Sequence, residues 1–135
     1  MRLTSLADYA VVMMAAAARH REGARLSATL LAGETGVPLP TAQKLMGRLA
    51  AAGLLTSVRG TGGGFQLARA ADGISLVDII EAVEGPIAMT TCVDEARNDC
   101  ALDGHCQVKP HLSAVNGAVR GALQGVSLAS LAEAK

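Results

Sequence analysis

The sequence predicts a mainly α-helical chain that carries one small β-hairpin. Three observations predict it. Apolar residues recur at three- and four-residue spacing through most of the chain. Capping and stopping residues (Ser27, Gly36, Ser75, Gly85-Pro86) fall between those periodic stretches. Only Leu54–Ala68 breaks the pattern, with two short β-prone runs around Gly60-Thr61-Gly62-Gly63-Gly64. The 135 residues suit one compact domain, and 50% are hydrophobic, enough for a core. Tyr9 and Phe65 are the only aromatics, so that core is aliphatic and rich in alanine. Small side chains bury little area, each square ångström contributing about 25 cal/mol. Burial of a further face in a dimer would add to so thin a core.

The first helix is expected from about Ser5 to His20. Ser5 and Asp8 form a capping box, and Leu6, Ala10, Met13, Met14 and Ala17 make the buried face. Asp8 also suits the positive end of the helix dipole. A second helix follows, capped by Ser27, stopped by Gly36, with Leu30 and Leu31 pointing inward. Val37–Pro40 is a tight connection. Pro40 opens the third helix, because its missing N–H would be unpaired there. That helix runs to about Ala52. Leu45, Leu49 and Ala52 face the core, while Thr41, Gln43, Lys44, Gly47 and Arg48 lie on other faces. The pair is a helix-turn-helix pattern. Strands at Leu54–Arg59 and Phe65–Ala68 then make a hairpin, and a hairpin directly after a helix-turn-helix is a wing. A nucleotide cradle at the glycines is disfavoured by the lack of a following Gly-Lys-Ser/Thr and of a βαβ unit.

Ser75, with Asp78 at the box position, caps a fourth helix whose stripe is Leu76, Ile79, Ile80 and Val83, ended by Gly85-Pro86. A fifth helix runs from Val108 or Pro110 to Leu123. Its Leu112, Val115, Val119, Ala122 and Leu123 suit a two-helix dimer seam or packing on the chain's own core; the seam is favoured because the domain before it looks closed. A short last helix spans Ser127–Ala132. The fold class is therefore mainly α with a small β-hairpin wing. Residues 1–85 form a winged helix-turn-helix DNA-binding domain, 86–106 a cysteine loop, and 107–135 a long dimerisation helix with a C-terminal helix.

Net charge is zero, but its distribution is not even. Residues 1–69 hold eight Lys/Arg and three acids, hence +5; residues 70–135 hold four and nine, hence −5. A basic half suits phosphate, and the acidic half faces something else. Arg2 and the apolar run Ala10–Ala18 resemble a signal peptide only superficially. Asp8 interrupts the approach, Arg19 and Arg21 follow, and the run is far short of the roughly 20 residues of a membrane span. The expectation is a cytoplasmic protein with reduced thiols, no membrane partner and no small-molecule substrate.

All three cysteines, Cys92, Cys100 and Cys106, lie within 15 residues, spaced C-x7-C-x5-C among four acids. Three thiols cannot all pair within one chain, so metal or redox chemistry fits better than a disulfide framework. Softness alone permits an iron–sulfur cluster, zinc or a bare thiol switch. Zinc would need His105 or His111 as a fourth ligand, and adjacent His105 and Cys106 suit one tetrahedral ion poorly. No nucleophile–base spacing supports catalysis, and Asp94–Glu95 is most simply a solvated pair. The chain is not expected to be an enzyme.

Met1-Arg-Leu-Thr-Ser5, Asp8-Tyr-Ala10, the wing Val58-Arg-Gly-Thr-Gly-Gly-Gly-Phe65 and Leu76-Val-Asp-Ile-Ile-Glu-Ala-Val-Glu-Gly85 resemble the Rrf family of winged-helix repressors. So do the cysteine trio and Gly125-Val-Ser-Leu-Ala-Ser-Leu131. Members include the iron–sulfur regulator IscR, the nitric-oxide sensor NsrR and the iron regulator RirA. The resemblance covers essentially the whole chain. It implies a cytoplasmic homodimer on palindromic operator DNA with one iron–sulfur cluster per subunit, held by Cys92, Cys100 and Cys106. The cysteine spacing looks most like RirA. An IscR-like protein has a ligand His three residues after the last cysteine, where this chain has Lys109, which is no ligand. In NsrR-like proteins an acid of the partner's first helix serves, and Asp8 holds that position; His105, Asp103, Asp99 or a small thiol are the alternatives. The favoured cluster is 4Fe–4S, with 2Fe–2S the alternative.

Family position also makes Gln43 a base reader, since Gln can contact adenine in a bidentate manner. Thr41, Lys44 and Arg48 would position phosphates, although Lys44 and Arg48 also suit a plain solvated face. Gly60, Gly62 and Gly63 at the wing tip let backbone approach DNA, and Arg59 suits phosphate or a minor groove. The function expected is cluster-dependent repression of iron–sulfur biogenesis or iron homeostasis genes. Nitric-oxide or redox sensing within the same family is the alternative. A cluster-free metal- or thiol-based interaction protein is the alternative of another class.

Overall fold

In the computed structural model, residues 3–60, 63–87 and 108–133 are described. The order is α1 (Ser5–Ala18), α2 (Ala28–Thr35), α3 (Leu39–Ala51), β1 (Leu55–Val58), β2 (Gly64–Leu67), a 3-10 turn (Ala71–Gly73), α4 (Leu76–Glu84), α5 (Lys109–Gln124) and α6 (Leu128–Glu133). The expected class, mainly α with a two-stranded hairpin, is what the chain forms.

α1 is the central element. Ala7, Ala10 and the run Met13–Ala17 are buried, so more than one face is covered, as in a helix surrounded by others. α2, α3, α4 and α6 all pack against it. Its cap differs from expectation. Thr4, one residue earlier than Ser5, is the N-cap and accepts from the Ala7 N–H at 3.1 Å. The third position of the helix is then Ala7, not Asp8, so no capping box forms. Asp8 is the acid of the first turn, as the helix dipole favours; its N–H donates to Thr4 O at 3.0 Å, and its side chain is exposed.

In α2, Ser27 accepts from Leu30 N–H and Gly36 stops the helix at φ 83°, as the sequence indicated. Leu31 is buried, but Leu30 is exposed, because a short helix lying on the surface can turn only one of two adjacent leucines inward. In α3 the buried set is Ala42, Leu45, Met46 and Leu49, the i, i+3, i+4, i+7 stripe. Ala52 is exposed. It is the helix's C-cap, where Gly53 (φ 83°) turns the chain away.

The hairpin registers Leu55 with Leu67 and Val58 with Gly64. A third segment reinforces it: Leu26 N–H donates to Phe65 O at 2.6 Å and Phe65 N–H to Leu26 O at 2.8 Å. That pairing brings Leu26 so close that a Cβ on Gly64 would stand 2.6 Å from its carbonyl oxygen. Gly64 also has φ 138°, so glycine is required twice over.

α4 has the expected capping box: Asp78 N–H to Ser75 Oγ, 3.1 Å, and Ser75 N–H to Asp78 Oδ2, 2.9 Å. Val77, Ile79, Ile80 and Val83 are buried, and Leu76 is only half-buried. α5 packs chiefly on α4 and contains no fully buried residue among those described. α6, grouped with the dimerisation helix in the sequence division, instead closes the winged half. Leu76 N–H donates to Val126 O and Leu128 N–H to Ile74 O, each at 2.8 Å. Leu128 is fully buried in the core, and α6 packs on α1 and the 3-10 turn.

Candidate nucleic-acid interface and cysteine segment

α2 and α3 meet through a turn anchored by buried Val37, which leaves the first turns of α3 as a ledge. Burial of Ala42, Leu45 and Met46 orients the ledge. Gln43 and Lys44 are thereby exposed and Thr41 is half-buried. The expected base reader and one expected phosphate contact thus stand free of the core. On the wing, Arg59 and Gly60 are exposed and Gly63 is half-buried. Gly63 N–H donates to Gly60 O at 2.9 Å, closing the tip, and Gly60 takes φ 113°. Gly62 lies outside the described residues.

Arg48 has a different placement. Its Nη1 donates to Val83 O at 3.2 Å, in the last turn of α4. The last carbonyls of a helix have no partner within it, so Arg48 satisfies one of them from α3. That turn is a junction for other elements too. Glu81 takes two bonds from Arg120 of α5 (Nη2 to Oε1, 2.8 Å; Nε to Oε2, 3.1 Å) and one from the Ile87 N–H at 2.9 Å. Asn116 Nδ2 donates to Ile87 O at 3.0 Å. Thr4 Oγ1 donates to Glu84 Oε1. The Arg120 guanidinium, helped by the Ile87 N–H and opposed by partial burial, holds the Glu81 carboxyl below its ordinary value. The charge is therefore present at neutral pH, and its stabilising contribution is lost only as pH falls through that lowered value. None of these partnerships had a signal in the sequence. Apart from the short Glu81–Ile87 link, they join residues 29 to 80 positions apart, and no local pattern encodes such a distance.

Cys92, Cys100 and Cys106 lie outside the described residues, as do Asp99, Asp103 and His105. Of the expected ligands only Asp8 is described. Its carboxylate is exposed and has no side-chain partner among the described residues. Thr4 has taken over the cap that Asp8 was expected to share. His111 is exposed on the first turn of α5. No helix among the described residues is long and apolar enough to cross a membrane.

A family model described as Rrf2, an iron-dependent transcriptional regulator, matches residues 3–134. The chain belongs to the Rrf2 family. It is 32% identical to the HTH-type transcriptional regulator IscR of Photobacterium profundum over 97% of this chain and 75% of that protein. Its fold is similar to that of CymR, the global cysteine regulator of B. subtilis, with TM-score 0.77, 26% identity, and 98% and 96% of the two chains covered. It is also similar to IscR of T. potens, with TM-score 0.73, 26% identity, and 97% and 85% covered. The chain is thus an IscR-like transcriptional regulator with a winged-helix fold, in a DNA-binding family, and not an enzyme.

Proposed function

We propose that this member of the Rrf2 family is an iron–sulfur-cluster-dependent repressor. It works in the cytoplasm as a homodimer on palindromic operator DNA, at genes of iron–sulfur biogenesis or iron homeostasis. The observation that carries the reading is the trio of thiols within 15 residues in a chain whose relatives include proteins named IscR. Thiolates are the ligands that such clusters take. Cys92, Cys100 and Cys106 supply three of them, and Asp8 of the partner subunit the fourth. The carboxylate of Asp8, exposed at the start of α1 and without a side-chain partner among the described residues, supports that role. A bound cluster would add a redox- and iron-sensitive centre, 4Fe–4S with this ligand set and 2Fe–2S as the alternative.

On DNA, α3 enters the major groove, where Gln43 reads a base edge while Thr41 and Lys44 position the phosphates. Arg59 and the backbone at Gly60, Gly62 and Gly63 follow the wing to the next stretch of backbone. The two copies of α3 then address successive major grooves about 34 Å apart. The gathering of the three thiols in one short stretch also suits a second reading, in which they sense redox state without a metal.

Anaerobic purification followed by assay of iron and acid-labile sulfide separates the two. Near-stoichiometric iron and sulfide are expected, and a chain that stays free of both after reconstitution would leave the thiol reading. Asp8→Ala should make the cluster more labile in air, and unchanged lability would remove Asp8 from the ligands. Gel shifts at two salt concentrations should show the steep weakening expected of phosphate binding. No shift at low salt would sink the DNA reading in either form.

A further inference from the structure

We propose that the last turn of α4 is the relay through which the cysteine segment sets the position of α3, with Glu81 and Arg48 as its positioning residues. The proposal rests on the reading that the cysteines control DNA binding, and it names the path of that control. Ile87 is the residue that leads into 88–107, where all three cysteines lie. Its N–H is held by Glu81 and its carbonyl by Asn116 of α5. The Glu81 carboxylate is held in turn by both donors of Arg120. Charge-assisted and bidentate, these are the stronger kind of hydrogen bond. A displacement of the segment's root or of α5 therefore reaches Glu81 directly.

Glu81 cannot shift alone. α4 is boxed at its start by Ser75 and Asp78, Val77, Ile79, Ile80 and Val83 are packed in the core, and Glu81 and Val83 both stand on its last turn, so a shift of that turn carries both. Val83 lies two residues beyond Glu81, and its carbonyl is the one that Arg48 holds. Arg48 is one helical turn beyond Lys44 on α3. The path from Ile87 to the exposed face of α3 thus runs through Glu81, Val83 and Arg48. This gives Arg48 a role distinct from the phosphate contact expected of it, because its guanidinium is directed at a carbonyl of its own chain.

The test uses the full chain and an operator selected from a random duplex pool. In the cluster-free protein, Glu81→Gln and Arg48→Met should each weaken operator binding, by about fivefold or more if they carry ordinary coupling. Together they should weaken it no more than the worse of the two. Losses that multiply would mean independent residues and overturn the relay. The salt dependence of binding should be unchanged in Arg48→Met; a slope lower by about one unit would make Arg48 a phosphate contact and overturn its part. The second measurement is the ratio of operator affinities between cluster-loaded and cluster-free protein. Glu81→Gln should bring that ratio close to one, whereas simple destabilisation would lower both affinities and leave the ratio alone. A wild-type ratio well away from one that survives Glu81→Gln overturns the relay and leaves cysteine control standing. A wild-type ratio of one overturns cysteine control, and the relay with it. Should Glu81→Gln fail to fold, Arg120→Lys, on a side chain 42% exposed, breaks the bidentate grip and repeats the same comparison.

Discussion

Among the described residues α1 and α5 are the two longest helices, of 14 and 16 residues, yet they occupy opposite environments. α1 is enclosed by α2, α3, α4 and α6, and half of its residues are buried. α5 rests chiefly on α4, and Val108 and Val115 stand about half exposed. Both sequences are rich in small apolar residues, so composition does not separate them. What separates them is spacing: α1 carries alanine and methionine on every side, while α5 interleaves its apolar positions with His111, Ser113, Asn116, Gly117, Arg120, Gly121 and Gln124. A helix apolar all round has to be central. The apolar stripe of α5 has no fully buried residue among those described, and it is the surface that the homodimer proposed above would cover.

That contrast can be broken at several points. The largest effect is expected at Leu128, which α6 brings into the core against α1. Leu128→Ala should cost about 3 kcal/mol in urea or thermal unfolding, as for any fully buried leucine. A loss under about 1 kcal/mol would mean that α6 is only loosely attached. Gly64→Ala should cost about 2 to 3 kcal/mol, from a strained φ and from the approach of Leu26 O. Because the pairing with Leu26 is what makes Gly64 obligatory, the loss should be accompanied by faster hydrogen exchange at the Leu26 and Phe65 amides. Ser75→Ala removes the cap of α4 and should cost about 1 kcal/mol. The smallest effect on folding belongs to α5. Val115→Ser should change the stability of the single chain by no more than about 0.5 kcal/mol. If the α5 face is the dimer seam, the same variant should weaken self-association roughly tenfold in sedimentation. A variant that does neither would leave α5 without a seam.

Much of the winged half was legible because its signals are local. Gly36 and Gly85 end helices where the chain must turn, Ser75 and Asp78 announce α4, and the glycines announce the hairpin. The misreadings were also local and small, such as Thr4 for Ser5, or Ala42 and Met46 for Ala52. They are shifts of a cap or of one position around a helix, and burial decides them only once neighbours are in place. The candidate site was legible to the extent that exposure follows from amphipathic spacing, as at Gln43 and Lys44. Arg48 and Glu81 were not legible. Both look like ordinary charged surface positions, and their partners come from other elements. The return of α6 to α1 escaped for the same reason, since the helix that precedes it looked like the end of the domain's business with its own core.

The packing of Leu128 has a bearing on how the protein is made. Ile74 and Ser75 wait for Ser127 and Leu128, and α1 keeps part of its surface uncovered until α6 arrives. A chain emerging in order can assemble α1 through α4 early, but its core is not closed until Leu128 has been synthesised. Every contact of this kind spans fifty residues or more, so the final step is a slow, non-local one. The three cysteines are therefore translated, and exposed to whatever metal or oxidant is at hand, before the domain that they are proposed to govern has finished folding.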